Sequence, residues 1–430
     1  MTDEQAALLT SCRRAIALAP NNIAVLKAIE AESASLAPVI ARGELSKDML
    51  IDAVFESVEG SDLVATAGSG VVNIAIATGL KRGWANGLTF ALSKSSSIFT
   101  DELVSPEYLV DGLLQRRFMY SLTAATGTGK TAITVLLAMC VSQGKHFGGL
   151  TVTKGNVLYL CAENPDDIRM RWIAQCQHFG IAPHDIDNVW FVPGVNKFSE
   201  IGEQLTQEMV NRELALVITD TSAAYFEGDD ENSNAQVGMH ARRMRELLVG
   251  LPGGPTVIVN AHPPKNAGPD NLLPRGGGAF LAEVDGNLIC RKTDSAIELY
   301  WDGKFRGPDF APLHFMLRTV THERLVDTKG RFIPTVLAES LSEQGLEDIN
   351  RSVQADAISV LLFFKCDPKA SIRDCAIHYG WNLRDGSPNK TKVQRILKKL
   401  EQEHFVSRVL DRWELQPKGT KVLNDAEKKT

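Results

Sequence analysis

Between Ala124 and Thr131 the chain reads AATGTGKT. Two spaced glycines followed by lysine and threonine form a set that can cradle phosphate. Gly127 and Gly129 let backbone N–H groups turn inward around an anion with no Cβ in the way. A helix opening at Lys130 would point its positive dipole end at that anion. Lys130 could then reach the β- and γ-phosphates of ATP, and the Thr131 hydroxyl could ligate Mg²⁺. Ala125, Thr126 and Thr128 complete the loop. Ala124 stands where the pattern has its first glycine. That glycine matters least for phosphate contact, and alanine has the smallest side chain that could replace it. The alternative is a glycine-rich strand–helix turn without a ligand.

Three further residues stand at the ends of apolar runs. NVLYLCAEN ends in Glu163, which could polarise an attacking water as general base or be a solvated loop acid. LALVITDT carries Asp220 in a Walker B pattern, suited to holding Mg²⁺. TVIVNAH ends in His262, which could sense a γ-phosphate or be a satisfied buried histidine. Ligands of α/β sheets bind at the carboxyl ends of strands, so the order P-loop, Glu, Asp, His says more than any one of them.

That order resembles the RecA/DnaB class of ATPases, and within it the RepA-type hexameric replicative helicases of plasmids and mobile elements. NVLYLCAENPDDIRMRW is similar to that group's strand–Glu–helix segment. HPPKNAGPDNLLPRGGGAFLAEVDGNLICRK resembles its mobile loop, Arg-Gly turn and following strand. GKFRGP at 303–308 is similar to the Lys-x-Arg of the hairpin in DnaB-type motors. The likeness covers about residues 105–320. The departures are Ala124, His262 where DnaB-type proteins carry glutamine, and the glycine-rich RGGGAF. The resemblance implies a homo-hexameric DNA helicase with ATP and Mg²⁺ at subunit boundaries and single-stranded DNA in a central pore. It implies that Lys304 and Arg306 reach the γ-phosphate bound by a neighbouring subunit, and that the loop 263–278 lines the pore.

Lys304 and Arg306 alternate across Phe305, so a strand would put both on one face. In the loop 263–278, Lys265, Arg275 and the N–H groups of Gly276 and Gly277 could grip a single-strand phosphate chain without reading sequence. A disordered surface loop is the alternative. The segment 226–240 (FEGDDENSNAQVGMH) is acidic and makes a poor phosphate contact, so it is a pore-loop or interface candidate only.

The elements that must position these residues follow from periodicity. Eight short apolar runs, FMYSLTA, NVLYLCA, VWFVP, LALVITD, TVIVNAH, NLICRK, AIELYW and HFMLRTV, alternate with helical stretches and then crowd together. This predicts an α/β, RecA-like P-loop ATPase core over 96–340, with a mainly parallel sheet and an antiparallel extension. Residues 1–95 read as a helical domain, with helices over 6–18 and 25–40 and turns at 68–70 and 79–87. They weakly resemble helical segments attached to primase–helicase proteins, too weakly to transfer a function. A primase or an initiator is a candidate partner. Residues 336–352 are polar and acidic and read as a linker. Residues 352–430 read as a winged-helix domain: helices over 355–364, 371–380 and 390–404, then a hairpin. Its third helix places Lys390, Lys392, Arg395 and Lys399 away from the apolar stripe, suited to duplex DNA. Protein docking is the alternative.

The chain has 430 residues, 44% hydrophobic and 23% charged, with a net charge of -6. That suits two or three globular domains and carries no global sign of a nucleic-acid binder. From Ser352 onward about 15 basic face about 10 acidic residues, so a basic module sits on an acidic body. The seven cysteines show neither CxxC nor metal-ligand spacing, and no secretory signal opens the chain. A cytoplasmic location is expected. No membrane association is expected, since the run AITVLLAMCV is too short to span a bilayer. A RecA-like recombinase would share the ATP site but form filaments. An ATP-controlled DNA-binding regulator would use the basic module without a motor. A small-molecule kinase would leave that module unexplained.

Overall fold

The structure, a computed structural model of the chain, describes residues 2–41, 44–59, 62–87, 106–249, 254–265, 267–268, 272–383 and 385–427. It divides into two compact units, Met1–Val104 and Ser105–Thr430.

The first unit is helical: α1 (Asp3–Ala17), α2 (Asn22–Ala41), α3 (Lys47–Val58), α4 (Asp62–Ala67) and α5 (Ser69–Gly87). A capping box starts α1. The Thr2 hydroxyl accepts from the Gln5 N–H at 3.2 Å, and Gln5 Oε1 accepts from the Thr2 N–H at 2.9 Å. The apolar stripes meet in one core around Leu9, Ile16, Ile29, Leu50, Val54 and Ile76. Gly68, at φ +78°, makes the turn before α5. The expected turn at 79–87 does not form, because those residues continue α5. The glycines there serve close packing. A Cβ on Gly79 would lie 2.4 Å from the Glu30 carbonyl oxygen, and one on Gly83 would lie 2.2 Å from that of Ala34. Only a bare Cα lets α5 approach α2 this closely.

The second unit opens with a short hairpin, β1 (Tyr108–Val110) and β2 (Leu114–Gln115). Strands and helices then alternate: β3 (Met119–Thr123), α6 (Lys130–Gln143), β4 (Asn156–Cys161), α7 (Pro165–Phe179), β5 (Val189–Pro193), α8 (Phe198–Asn211), β6 (Leu214–Asp220), α9 (Asn234–Val249), β7 (Thr256–Ala261), α10 (Gly277–Glu283) and β8 (Gly286–Lys292). A meander of β9 (Ile297–Phe305), β10 (Leu313–Val320) and β11 (Thr335–Ser340) follows. The sheet has nine strands in the order β11-β10-β9-β8-β3-β7-β6-β4-β5. Pairing is parallel from β5 through β8 and antiparallel from β8 to β11. β3 to β10 are the eight strands expected, in the expected mixed α/β class.

Burial explains the two halves. Every residue of β3, β6 and β7 is buried, as continuous apolar runs covered on both faces must be. Alternate residues of β4 feed opposite cores: Val157, Tyr159 and Cys161 pack with α6 and α7, whereas Leu158 and Leu160 pack with α8 and α9. Over its first four residues β9 alternates buried and partly exposed positions, the pattern of a strand with one face covered.

The C-terminal segment comprises α11 (Glu343–Cys366), α12 (Ile372–His378), α13 (Lys390–Gln402), the hairpin β12 (Val406–Val409) and β13 (Arg412–Leu415), and α14 (Pro417–Glu427). It packs on its own core of Val360, Leu361, Phe364, Val393, Leu397 and Val406. Residues 336–352 are not a linker. They supply most of the edge strand β11 and the first turns of α11, which runs 24 residues from a Ser342 N-cap. The polar residues misled because β11 is an edge strand and the start of α11 is solvated. The helix α14 was not expected, nor was the start of α9 at Asn234, which shortens the acidic loop after Phe226. All seven cysteines are free, and Cys366 alone among them is exposed. No described helix is long and apolar enough to cross a membrane.

Gly83→Val should destabilise the helical unit by about 1–3 kcal/mol through overpacking. Gly70→Ala, where a Cβ meets nothing within 4 Å, should stabilise it by a few tenths of a kcal/mol, up to about 1. Urea unfolding followed by circular dichroism on both variants checks the contrast. Equal stabilities would mean that α2 and α5 do not pack through these glycines.

Candidate active site

β3 ends at Thr123 and α6 begins at Lys130, so the loop between them lies at the carboxyl edge of the sheet. Gly127 and Gly129 take φ +79° and +111°, which side chains disfavour. Gly129 is needed twice, since a Cβ there would lie 2.9 Å from Leu317 Cδ1. Ala124 is buried and is not among the positive-φ residues, so alanine fits where the pattern has glycine. Gly129 caps α6 without a side-chain hydrogen bond. The first N–H groups of α6 have no intrahelical acceptor, and they face a cavity of about 470 Å³. Thr126, Gly127, Gly129, Lys130 and Thr131 line that cavity together with Glu163, Asp220 and His262, whereas Ala125 and Thr128 do not.

Lys130 is buried, and its ammonium donates to the Ala124 carbonyl at 2.7 Å and to His262 Nδ1 at 3.3 Å. An ammonium has no lone pair, so Nδ1 accepts and the imidazole proton belongs on Nε2. Burial, then the charge of Lys130, lowers the pKa of His262, so the imidazole is neutral near pH 7. Burial also lowers that of Lys130, against the attraction of Asp220, Cys290 and Glu163.

Asp220 is 2% exposed, and its Oδ1 has no hydrogen-bond partner among the described residues. Its Oδ2 accepts from the Tyr159 hydroxyl at 2.8 Å. The Thr134 hydroxyl lies 2.8 Å from that of Tyr159 and accepts from Asn260 Nδ2 at 3.2 Å. These groups form a polar relay from β7 through α6 and β4 to the carboxylate. Burial pushes the pKa of Asp220 up, opposed by the polar groups of Asn260, Tyr159 and Thr131. A buried carboxylate oxygen without a partner, in a cavity that also holds the Thr131 hydroxyl, fits a divalent cation. Asp220 and Thr131 would hold it, and it would supply charge neutralisation for the phosphates. Glu163 is exposed at the same cavity, just past β4, where its carboxylate can meet an incoming water.

Residues not anticipated also build the site. Tyr159, Thr134 and Asn260 are polar groups inside apolar runs, and that mismatch is the signal that could have found them. Arg171 lines the cavity from α7, donating to Asp167 Oδ2 at 2.6 Å and to the Val336 carbonyl at 2.9 Å. Leu317 of β10 and Val336 of β11 complete the wall, so a segment expected to be a linker borders the nucleotide cavity.

The other candidate residues are elsewhere, and several are occupied. Lys265 is exposed. Arg275 pairs with Glu231, and its N–H donates to the His262 carbonyl at 2.9 Å. The Gly277 N–H is taken by the Pro274 carbonyl at 2.8 Å, and a Cβ on Gly276 would lie 2.3 Å from Val237 Cγ1. The grip expected of Arg275 and Gly277 is thus turned inward, because the turn packs α10 onto α9. Residues 266 and 269–271 of this loop lie outside the described residues. Lys304 donates to the Leu281 and Ala282 carbonyls at 2.9 and 3.0 Å, and Arg306 donates to Asp285 at 3.0 Å. Neither lines the nucleotide cavity of its own chain. On α13, Lys390 and Arg395 are exposed. Lys392 pairs with Asp356 at 2.6 Å and lies 4.1 Å from the Trp381 ring centroid, and Lys399 pairs with Asp294. Those two are half-buried and satisfied within the chain, so they are not open phosphate contacts as expected.

Lys130→Ala should abolish nucleotide hydrolysis. Glu163→Gln should still bind nucleotide but turn over about 10²–10⁴-fold more slowly. Binding of a fluorescent ATP analogue beside phosphate release separates the two. Normal turnover in Lys130→Ala would move the site elsewhere.

No curated protein matches the chain. Residues 90–268 match the model of a family described as an AAA domain, and with a phosphate loop at the carboxyl edge of this nine-stranded mixed sheet the match fits a P-loop ATPase.

Proposed function

We propose that the protein is an ATP-driven, ring-forming DNA helicase, a homo-hexamer of the RepA type serving replication of a plasmid or mobile element. The observation that carries this reading is the position of Lys304 and Arg306. Both are anchored cations outside the nucleotide cavity of their own chain, and the Arg306 side chain is 59% exposed. A cation pair held in place but offered to solvent suits a γ-phosphate bound by a neighbouring copy. The site is then complete only at a subunit boundary. Hydrolysis there would move the loops after β6 and β7 and drive single-stranded DNA through the ring. The C-terminal segment is read as a winged helix that meets duplex DNA through Lys390 and Arg395.

A second reading, an ATP-controlled DNA-binding regulator, is favoured by the internal pairing of Arg275 with Glu231, which occupies a cation that a motor would need in its pore loop. Unwinding of a forked duplex separates the two, because a regulator would bind the fork and leave it paired.

Arg306→Ala should bind ATP, assemble and barely hydrolyse, since a cation supplied in trans is worth about 10³–10⁵ in rate. Mixed with excess Lys130→Ala protein, it should regain turnover. No recovery in any assembled mixture would remove the shared site. Arg395→Ala should weaken duplex binding for all sequences alike and reduce the slope of log affinity against log salt by about 0.9. An unchanged slope would assign α13 to protein docking.

A further inference from the structure

We propose that Asp285 is a positioning residue for the trans-acting cation: a buried carboxylate that holds Arg306 at the subunit surface, with Arg245 sharing it. This rests on the shared-site reading above.

Asp285 stands between α10 and β8 and is fully buried. Its Oδ2 accepts from the Met119 N–H at 3.0 Å and from Arg245 Nη1 at 2.9 Å. Its Oδ1 accepts from Arg245 Nη2 at 3.1 Å and from Arg306 Nη1 at 3.0 Å. A buried carboxylate must be paired and hydrogen-bonded. The bidentate Arg245 and the Met119 N–H already meet that need. Arg306 is therefore additional, and it is tied twice, because its N–H also donates to the Asp285 carbonyl at 2.8 Å. Among the described residues only one end of the guanidinium is used, and the remaining donors are left for an anion.

The charges do not balance. Among the described residues two carboxylates, Asp285 and Glu283, face Arg242, Arg245, Arg306 and Lys304, and Lys304 meets only carbonyl oxygens. An ordinary solvated hairpin has no need of a surplus of two positive charges, with Arg306 tied to a buried carboxylate and Lys304 to carbonyl oxygens. A phosphate from outside the chain would neutralise it. Phe305, between the two cations, is locked on the other side by Tyr120, Trp301 and Phe310 at centroid distances of 6.1, 5.8 and 5.3 Å. Backbone, ring and carboxylate together fix where Arg306 emerges.

The test is the complementation group of Asp285→Asn in the full-length protein. A misplaced reacting group costs about 10²-fold in rate, so kcat should fall by that order while the KM for ATP stays unchanged. Excess Lys130→Ala subunits should restore turnover, and Arg306→Ala subunits should not, because both variants lack the same half. If Asp285 instead supports its own phosphate loop through Met119 and β3, the pattern reverses: Arg306→Ala rescues and Lys130→Ala does not. That reversal overturns the proposal, as do rescue by neither and a wild-type kcat. Should Asp285→Asn fail to assemble, Arg245→Met leaves Arg306 as the one arginine on the buried carboxylate, which draws its guanidinium inward, and should fall in the same group as Arg306→Ala. If Arg306→Ala and Lys130→Ala complement each other while the Asp285 and Arg245 variants depart from this pattern, only this inference fails. If that first pair does not recover, the shared site fails and takes this inference with it.

Discussion

The burial of α6 is the constraint on which the rest of the structure depends. Twelve of its residues, from Lys130 to Ser142, are buried. A helix enclosed on its sides can present unsatisfied backbone groups only at its ends. The C-terminal end closes at Gly144 in the left-handed conformation, whose N–H returns to the Cys140 carbonyl. The N-terminal end has no such closure, and Gly129 offers no side chain to provide one. Its donors open into the cavity, where the helix dipole favours negative charge. The glycine angles, the placing of Lys130 and the packing of Leu317 against Gly129 all follow from leaving that end open.

The relay beneath the loop is the second consequence. Asn260, Thr134 and Tyr159 spend hydrogen-bonding capacity in the core to hold Asp220 in one orientation. Its other carboxylate oxygen, Oδ1, has no hydrogen-bond partner among the described residues. A cation at Asp220 would give that oxygen a partner. His262 plays the matching part for Lys130. A neutral imidazole accepts from the ammonium without adding a second charge, and a γ-phosphate that draws Lys130 away would release His262, whose carbonyl already holds the N–H of Arg275.

The cations outside the cavity obey a different rule. Half-buried lysines and arginines take the nearest acceptor: Arg275 finds Glu231, Lys392 finds Asp356, Lys399 finds Asp294, and Lys304 finds carbonyl oxygens at the end of α10. Spacing along a helix or loop records which side chains share a face and nothing about what already occupies that face. Lys265, Arg306, Lys390 and Arg395 are what remains exposed of the cations read from spacing.

Sequence alone determined what depends on neighbours along the chain. Period and continuity of apolar runs gave β3 to β10 and the switch from parallel core to antiparallel extension, and AATGTGKT announced its positive-φ glycines. The same local logic failed where a residue serves a distant surface. The glycines of 79–87 read as a turn because their clash partners, Glu30 and Ala34, lie on another helix. Residues 336–352 read as a linker because an edge strand and a solvated helix start need few apolar residues. Only tertiary structure decided which polar groups meet. Tyr159 and Asp220 are 61 positions apart, Thr134 and Asn260 are 126 apart, and Lys130 and His262 are 132 apart. Their pairing is set by the order of strands in the sheet and by the exclusion of water between them, and neither is written in any short stretch of chain.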